Sequence, residues 1–351
     1  QLSNYWSNFC NTDDVFEKGT APATWLKAAM STVNKGVPAA NAGKVTIRWF
    51  VGLGAGTADV QMEAQKKVVN DFNKSQDKIT LVLEIVPNAT ATNMLAKAIA
   101  AGNAPDIIGP VGWLGSNAFH GQWLDLKDLI AKNKYDTSDF NPEMVNMYQT
   151  DEGTAGIPFA VYPGVFFFQR KMFDRAGLSY PPNQVGQQYK MPDGSLVDWN
   201  WDTVAKLARL LTLDKNGRNA TQVDFDPRRV AQYGFVPQWM QPSYFANYYG
   251  MAAKIYTGSS KGNYQAAIPG PWRAAWTWWY DGMWGKQPFI PNAPAIQSND
   301  FGAGNPFNSG KIAMAVTQSY YLCCINGAGR NWELTILPLA ADGKIHGRVD
   351  A

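Results

Sequence analysis

The side chains here that could do chemistry are aromatic, rather than nucleophilic or metal-binding. The chain carries 14 Trp, 15 Tyr and 17 Phe among 351 residues. Sugar rings lay their C–H faces on aromatic rings, so such residues can line a carbohydrate site, although core packing must absorb most of them. Two histidines, His120 and His346, are too few and too isolated for a His-based catalytic or metal site. The three cysteines, Cys10, Cys323 and Cys324, lack metal-ligand spacing. They allow a bridge from Cys10 to 323 or 324, or three unpaired thiols. Carboxylates such as Asp198, Asp202, Asp224, Asp226 and Asp281 are scattered, whereas a glycosidase needs a pair across one cleft at defined separation. No nucleophile elbow, P-loop or metal motif is present, and no cofactor is implied. The Asp/Asn cluster from Asp214 to Asp226 could hold calcium, but its Gly is misplaced for an EF-hand loop, which favours a plain turn.

Composition sets the frame for these residues. The chain is 46% hydrophobic and 17% charged, which is a globular balance. A net charge of +3 without a basic cluster gives no case for nucleic acid. No apolar run reaches membrane-spanning length. A chain this long favours two domains over one core.

The elements that must position the candidates follow in order. Residues 1–43 read as a polar extension with one helix-like piece, Pro22 to Thr32. The chain begins at Gln1, as it would after removal of a signal or a lipid-anchored cysteine. Lys44 to Val51 is a strand, followed by a Gly-rich loop and a helix with Val60, Ala64, Val68 and Phe72 on its apolar face. Thr57 is the expected N-cap. It also occupies the place where a dinucleotide fingerprint needs Gly, so that reading is weak. Ile79 to Val86 is the second strand. Asn93 opens a short helix closed by Gly102, and Pro105-Asp106-Ile107-Ile108 begins the third strand. This alternation is a parallel α/β lobe, and Trp113 lies just past its third strand, where open α/β sheets place ligands.

Asp151-Glu152-Gly153 leads into Ile157-Pro158 and the apolar run Val161 to Phe168, which reads as a strand buried on both faces. A short helix, Arg170 to Arg175, is closed by Gly177 and cannot continue through Pro181-Pro182. Asn200 is the expected N-cap of a helix bearing Leu207, Leu210 and Leu211. Gln232 to Phe235 is a strand that ends near Trp239. Pro271 to Trp284 is a helix whose Trp272, Trp276, Trp279 and Met283 share a core face.

Several of these segments resemble the sugar-binding class of bacterial ABC-transporter solute-binding proteins, the group that includes maltose-binding protein. Ala101-Gly102-Asn103-Ala104-Pro105-Asp106-Ile107 matches its Ala-Gly-x-x-Pro-Asp-Ile turn. Gln122 to Leu126 is similar to its Leu-x-Asp-Leu helix start, which makes Trp123 a core residue. Ala155 to Pro158 fills the first hinge turn. Phe168-Gln169 stands where Tyr-Asn is usual, and Phe173, Gly177-Leu178 and Pro181-Pro182 match. Phe307 to Met314 resembles the Phe-x-x-Gly-Lys-x-Ala-Met signature, and Gln318-Ser319-Tyr320 stands in place of its Gly-x-Trp.

The resemblance implies an α/β, two-lobe periplasmic-binding-protein-like fold, each lobe a mostly parallel sheet flanked by helices, with a hinge between them. Lobe 1 would be residues 44–160 plus 335–351, incomplete at its C-terminal end, which predicts a longer natural protein. Lobe 2 would be residues 161–334. The implied function is extracytoplasmic capture of a carbohydrate, an oligosaccharide on the aromatic count, in the cleft between the lobes. Delivery would be to an ABC-transporter permease, by a monomer that is periplasmic or lipid-anchored. The candidate wall residues are Trp113, Tyr162, Trp239 and Tyr320, with Thr57 and Asn93 as polar contacts; for each aromatic, core packing is the competing role. The alternatives are a carbohydrate-active enzyme with an aromatic-lined cleft and a scaffold protein that takes no small ligand.

Overall fold

The computed structural model describes residues 43–350, apart from 152, 251–253, 259–261 and 326–330 and the side chains of 113 and 114. The N-terminal extension (all but Gly43), its helix-like piece and Cys10 lie outside the described residues. The chain divides into two units, one up to Ala160 and one from Val161 to Asp350.

In the first unit the elements run β1 (Val45–Val51), α1 (Asp59–Ser75), β2 (Ile79–Ile85), α2 (Asn88–Ala100) and β3 (Ile107–Ile108). Three short helices follow, α3 (Trp113–Ala118), α4 (Lys127–Asn133) and α5 (Pro142–Asn146), then the strand pair β4 (Gln149–Thr150) and β5 (Gly153–Thr154). The sheet order is β2-β1-β3, and both pairings are parallel. Arg48 fastens β1 to β2 by two bonds to the Glu84 carboxylate, 2.6 and 3.0 Å long. Its other nitrogen reaches Asn103.

Three local expectations change here. The N-cap of α1 is Ala58 rather than Thr57, and the loop N–H groups of Gly56 and Ala58 are satisfied by Gln61 Oε1 reaching back from within the helix. The face of α1 that turns inward is polar. Val60, Val68 and Phe72 are exposed, and Val69 is the buried apolar residue. The reason is the edge position of β2. Asn73 donates to Leu81 O at 2.9 Å and accepts from Leu81 N–H at 2.7 Å, while Gln76 does the same for Ile79. Those side chains satisfy backbone groups that an edge strand leaves open. Finally, α2 begins at Asn88, after Pro87 at the N-cap, so Asn93 lies within the helix. The β-branched Thr90 and Thr92 weaken its first turns, but burial of Ala91 and Leu95 holds them.

The second unit runs β6 (Tyr162–Gln169), α6 (Arg170–Ala176), β7 (Tyr189–Lys190), β8 (Leu196–Val197), α7 (Trp201–Leu211) and β9 (Leu213–Asp214). It continues with β10 (Val230–Pro237), α8 (Pro242–Tyr249), β11 (Tyr256–Thr257), β12 (Gln265–Ala266) and α9 (Gly270–Trp284). Then come α10 (Ala293–Gln297), β13 (Ile312–Gln318), a 3₁₀ segment Ser319–Cys324, β14 (Trp332–Thr335) and β15 (Val349–Asp350). The strand order is β14-β6-β13-β10-β9, and β15 pairs with the start of β6. Only β10 and β13 are parallel. The antiparallel β6 makes this sheet mixed, where a mostly parallel one was expected.

Period-two alternation buries both faces of this sheet. Phe166 and Phe168 of β6 point into one cluster with Trp199, Trp201, Phe235 and Phe245, whereas Phe167 points into the other with Phe307 and Tyr321. Each fully buried Phe contributes roughly 1.5–3 kcal/mol. Trp272, Trp276, Trp279 and Met283 of α9 pack on the first cluster, as their spacing predicts. Gly177 closes α6 with φ +65°, and the Asn200 side chain caps α7 by accepting from Thr203 N–H. Residues 335–350, read as a return to the first lobe, make their backbone pairs inside this unit. Leu339 donates to Trp199 O, and Asp350 lies opposite Tyr162. The Asp214 carboxylate accepts from the N–H groups of Asn216, Arg218 and Asp226 and from Arg218 Nε, which is the plain-turn arrangement.

Candidate functional site

The parallel pair β10 and β13 ends on one side of the second sheet, and the antiparallel β6 begins there, with Gln318 opposite Gly164. The strand ends deliver Trp239, Tyr320 and Tyr162 to this side. Tyr162 and Tyr320 meet edge to face, ring centres 5.9 Å apart. Trp239 stands on Tyr321, with centres 5.0 Å apart and planes at 88°. Its Nε1 donates to Gly304 O at 2.7 Å, and 46% of the residue remains exposed. Trp239 has φ +55°, a left-handed conformation that costs a bulky residue free energy and recurs at ligand clamps.

Beneath the rings lies a buried polar layer. Gln238 donates to Asn305 Oδ1, which also accepts from the Tyr321 hydroxyl, and Gln238 Oε1 accepts from Phe307 N–H. Gln318 is buried, and its Nε2 has no hydrogen-bond partner. A donor left unsatisfied costs about 1–3 kcal/mol. Behind Tyr162 and Tyr320, the Arg348 guanidinium stacks 3.6 Å from the centre of the Tyr244 ring. The Tyr248 ring lies against Gly164, where a Cβ would come within 2.5 Å of its hydroxyl.

Burial raises the phenols of this end. It pushes Tyr244 up to about 12, and raises Tyr320, Tyr321 and Tyr248 as well. Tyr162 is raised first by burial, then by Cys323 and Asp350. Burial pulls Arg348 below its ordinary value. At neutral pH these phenols are protonated, as ordinary tyrosines are, and Tyr321 and Tyr248 already donate to Asn305 Oδ1 and Arg348 O.

In the first unit, loops at the strand C-termini gather in the same way. Gly52 lies close enough to Val86 O that a Cβ would be 2.6 Å away, and Asn88 donates to Gly52 O. A Cβ on Gly54 would meet Pro110 O at 3.0 Å. Thr57 sits half-buried in this loop, and Trp113 is the first residue of α3. Asn93 projects from an exposed position of α2 and takes no part in the loop cluster. Trp123 packs edge-on to Phe119 in the core, as expected.

Of the six sequence candidates, the structure thus unites Tyr162 with Tyr320 and sets Trp239 beside the neighbouring Tyr321. The sequence reading missed Gln238, Asn305, Tyr244, Tyr248, Arg348 and Asp350. Gln238, next to Trp239, and Asn305, at the head of the Phe307 to Met314 signature, carried a positional signal. The scattered carboxylates lie on separate elements: Asp202 opens α7, Asp226 sits in the turn before β10, and Asp281 belongs to α9. His120 and His346 each meet one aspartate, Asp151 and Asp342. No group of three or more potential metal ligands occurs among the described residues.

An α/β unit with loops at its strand C-termini, followed by a second unit whose strand ends are walled by neutral aromatic groups, has the character of a solute-binding protein. The chain belongs to the bacterial extracellular solute-binding proteins, whose family model matches residues 67–347. Solved structures give the same fold at low identity. One is the ABC substrate-binding protein Lmo0181 from Listeria monocytogenes in complex with cycloalternan, 20% identical, covering 88% of this chain and 69% of that one, TM-score 0.62. Another is a solute-binding protein from Thermotoga lettingae bound with α-D-tagatose, 18% identical, covering 88% and 71%, TM-score 0.60. A third is maltose-bound MalE3 from T. maritima, 15% identical, covering 88% and 71%, TM-score 0.58.

Proposed function

We propose that this protein captures a carbohydrate, an oligosaccharide, outside the cytoplasm and delivers it to an ABC-transporter permease. The observation that carries this reading is the aromatic end of the second sheet, where Tyr162, Tyr320 and half-exposed Trp239 stand over a buried amide layer. Rings take the apolar faces of a sugar. Neutral phenols and amides pair its hydroxyls, and selectivity follows because a mismatched sugar leaves one of them unpaired. The saccharides bound by the solved relatives, cycloalternan, maltose and tagatose, support the class. Thr57, Trp113 and Asn93 belong to the proposal as first-unit contacts, each to be tested by substitution. We read the protein as a monomer without catalytic activity, either free outside the membrane or lipid-anchored. No helix among the described residues is long and apolar enough to cross a membrane.

The test is a thermal-shift screen of the full-length protein against mono- and oligosaccharides, with each mixture analysed for cleavage. A ligand at 100 times its dissociation constant stabilises the fold by about 2.7 kcal/mol. A shift with intact oligosaccharide supports capture. Shortened sugar would make the protein a carbohydrate-active enzyme, and no shift with any sugar would remove the carbohydrate reading.

A further inference from the structure

The 3₁₀ segment that carries Tyr320 and Tyr321 ends in two adjacent cysteines, Cys323 and Cys324. Their sulfurs lie 2.7 Å apart. Cys323 is exposed, and Cys324 is half-buried against the second cluster of the sheet, beside Tyr320. Cys323 also sits near enough to Tyr162 to act on its hydroxyl electrostatically. The carbonyl of Cys324 accepts from Asn305 Nδ2 at 3.1 Å, and Asn305 Oδ1 in turn accepts from Tyr321 and Gln238.

We propose that Cys323 and Cys324 are a modification site, a vicinal dithiol that an external disulfide oxidises to a ring closed through their shared peptide bond. The exposed Cys323 thiolate attacks one sulfur of the external disulfide. That S–S bond breaks, and one thiolate leaves and takes up a proton. Cys324, once deprotonated, attacks Cys323 Sγ, the mixed disulfide breaks and the second thiol departs. The protein gives up two protons and two electrons, and the external disulfide becomes two thiols. Burial first, and then the neighbouring Cys323 thiol, push Cys324 up to about 12. Capture of Cys323 in the mixed disulfide removes the second of these influences and eases the closing step.

Geometry makes the bond reversible. Disulfide-bonded cysteines usually keep their Cα atoms about 4.4–6.8 Å apart, whereas adjacent residues are held at about 3.8 Å. The ring is therefore strained, and strained, exposed disulfides are the readily reduced ones. The ring contains the Cys323 carbonyl and the Cα of Cys324, and the Cys324 carbonyl carried on that Cα accepts from Asn305, which links it to Tyr321, the ring under Trp239. Constraining that Cα couples oxidation to the aromatic end of the sheet, where Cys324 already lies beside Tyr320.

The test uses the full chain carrying Cys10→Ser, incubated with glutathione disulfide and mapped by mass spectrometry. The expected product is a 323–324 peptide lacking two hydrogens, resistant to alkylation and restored by dithiothreitol. Tryptophan fluorescence should change on oxidation, and Trp239→Phe should abolish that change. A stable glutathione adduct on Cys323 without ring closure would overturn the site. So would capture of either cysteine by Cys10 in the wild-type chain under the same conditions. Identical fluorescence in the two redox forms would overturn the link through Asn305. None of these readouts needs a saccharide, so they fail or stand independently of the function proposed above.

Discussion

Replacing Trp239 separates a binding platform from a structural prop. The residue makes one hydrogen bond to Gly304 O and one edge-to-face contact with Tyr321. An aromatic pair of this kind contributes about 0.5–1.5 kcal/mol beyond burial, and a neutral hydrogen bond about 0.5–1.5 kcal/mol. With 46% of the residue exposed, its partial burial adds about 1–1.5 kcal/mol, half of what a fully buried aromatic contributes. Trp239→Ala should therefore cost about 2–4 kcal/mol in urea unfolding, which most folded domains survive. The left-handed backbone adds a second handle. At φ +55° a non-glycine residue carries about 1–2 kcal/mol of strain. Trp239→Gly loses the same ring but relieves the strain, so it should be more stable than Trp239→Ala.

Saccharide affinity then decides the role. If the ring is a platform, both variants should weaken oligosaccharide binding by about 2 kcal/mol, roughly 30-fold, by isothermal titration calorimetry. That loss should be equal in Ala and Gly although their stabilities differ. Lower stability with an unchanged dissociation constant would refute the platform role and leave Trp239 as a support for Tyr321. An affinity that follows stability from Ala to Gly would refute it equally.

Three further outcomes follow from the packing and the charges. Gly234 of β10 lies so close to Ala208 O of α7 that a Cβ cannot be accommodated. Gly234→Ala should cost about 1–3 kcal/mol or more by urea denaturation, and a neutral result would refute that close approach. Asn200→Ala removes the cap of α7 and should cost about 1 kcal/mol, whereas Asn200→Asp should keep most of the stability. The raised phenols predict an alkaline limit. Tyr244 is pushed up to about 12 from an ordinary value of about 10. Above pH 10 the unfolded chain has lost a proton that the folded chain keeps, so stability is intact below pH 10 and falls as pH rises toward 12. A urea midpoint that stays flat from pH 9 to 11 would refute it.

Where a local rule and the tertiary surroundings agree, the sequence was readable. Gly177 ends α6 because its left-handed conformation suits glycine, and Asn200 caps α7 because its side chain reaches Thr203 N–H. Both depend on neighbours within a few residues. The strand with Phe166, Phe167 and Phe168 was legible as buried on both faces because it has no polar alternation to lose. The candidate site was only half legible. Tyr320 and Trp239 follow strands that the sequence marks, but Arg348 and Asp350 reach Tyr244 and Tyr162 from the far end of the unit. No periodicity announces a pairing over that separation.

The face of α1 shows why periodicity can mislead even locally. The apolar positions Val60, Ala64, Val68 and Phe72 recur at helical spacing, yet the helix lays Gln61, Asn73 and the following Gln76 toward the loop and edge strand beside it. The stripe Val60, Ala64, Val68 and Phe72 stays exposed, while Asn73 and Gln76 satisfy open N–H and C=O groups of β2 that apolar side chains could not pair. Asn73 supplies two bonds to Leu81, so Asn73→Ala should cost about 1–3 kcal/mol. Val60 is 83% exposed, so Val60→Ser should change stability by less than about 0.5 kcal/mol. Paired urea titrations compare the two directly. If Val60→Ser proved the costlier change, the apolar stripe would be the packed face after all, and the hydrogen bonds of Asn73 could not be what orients the helix.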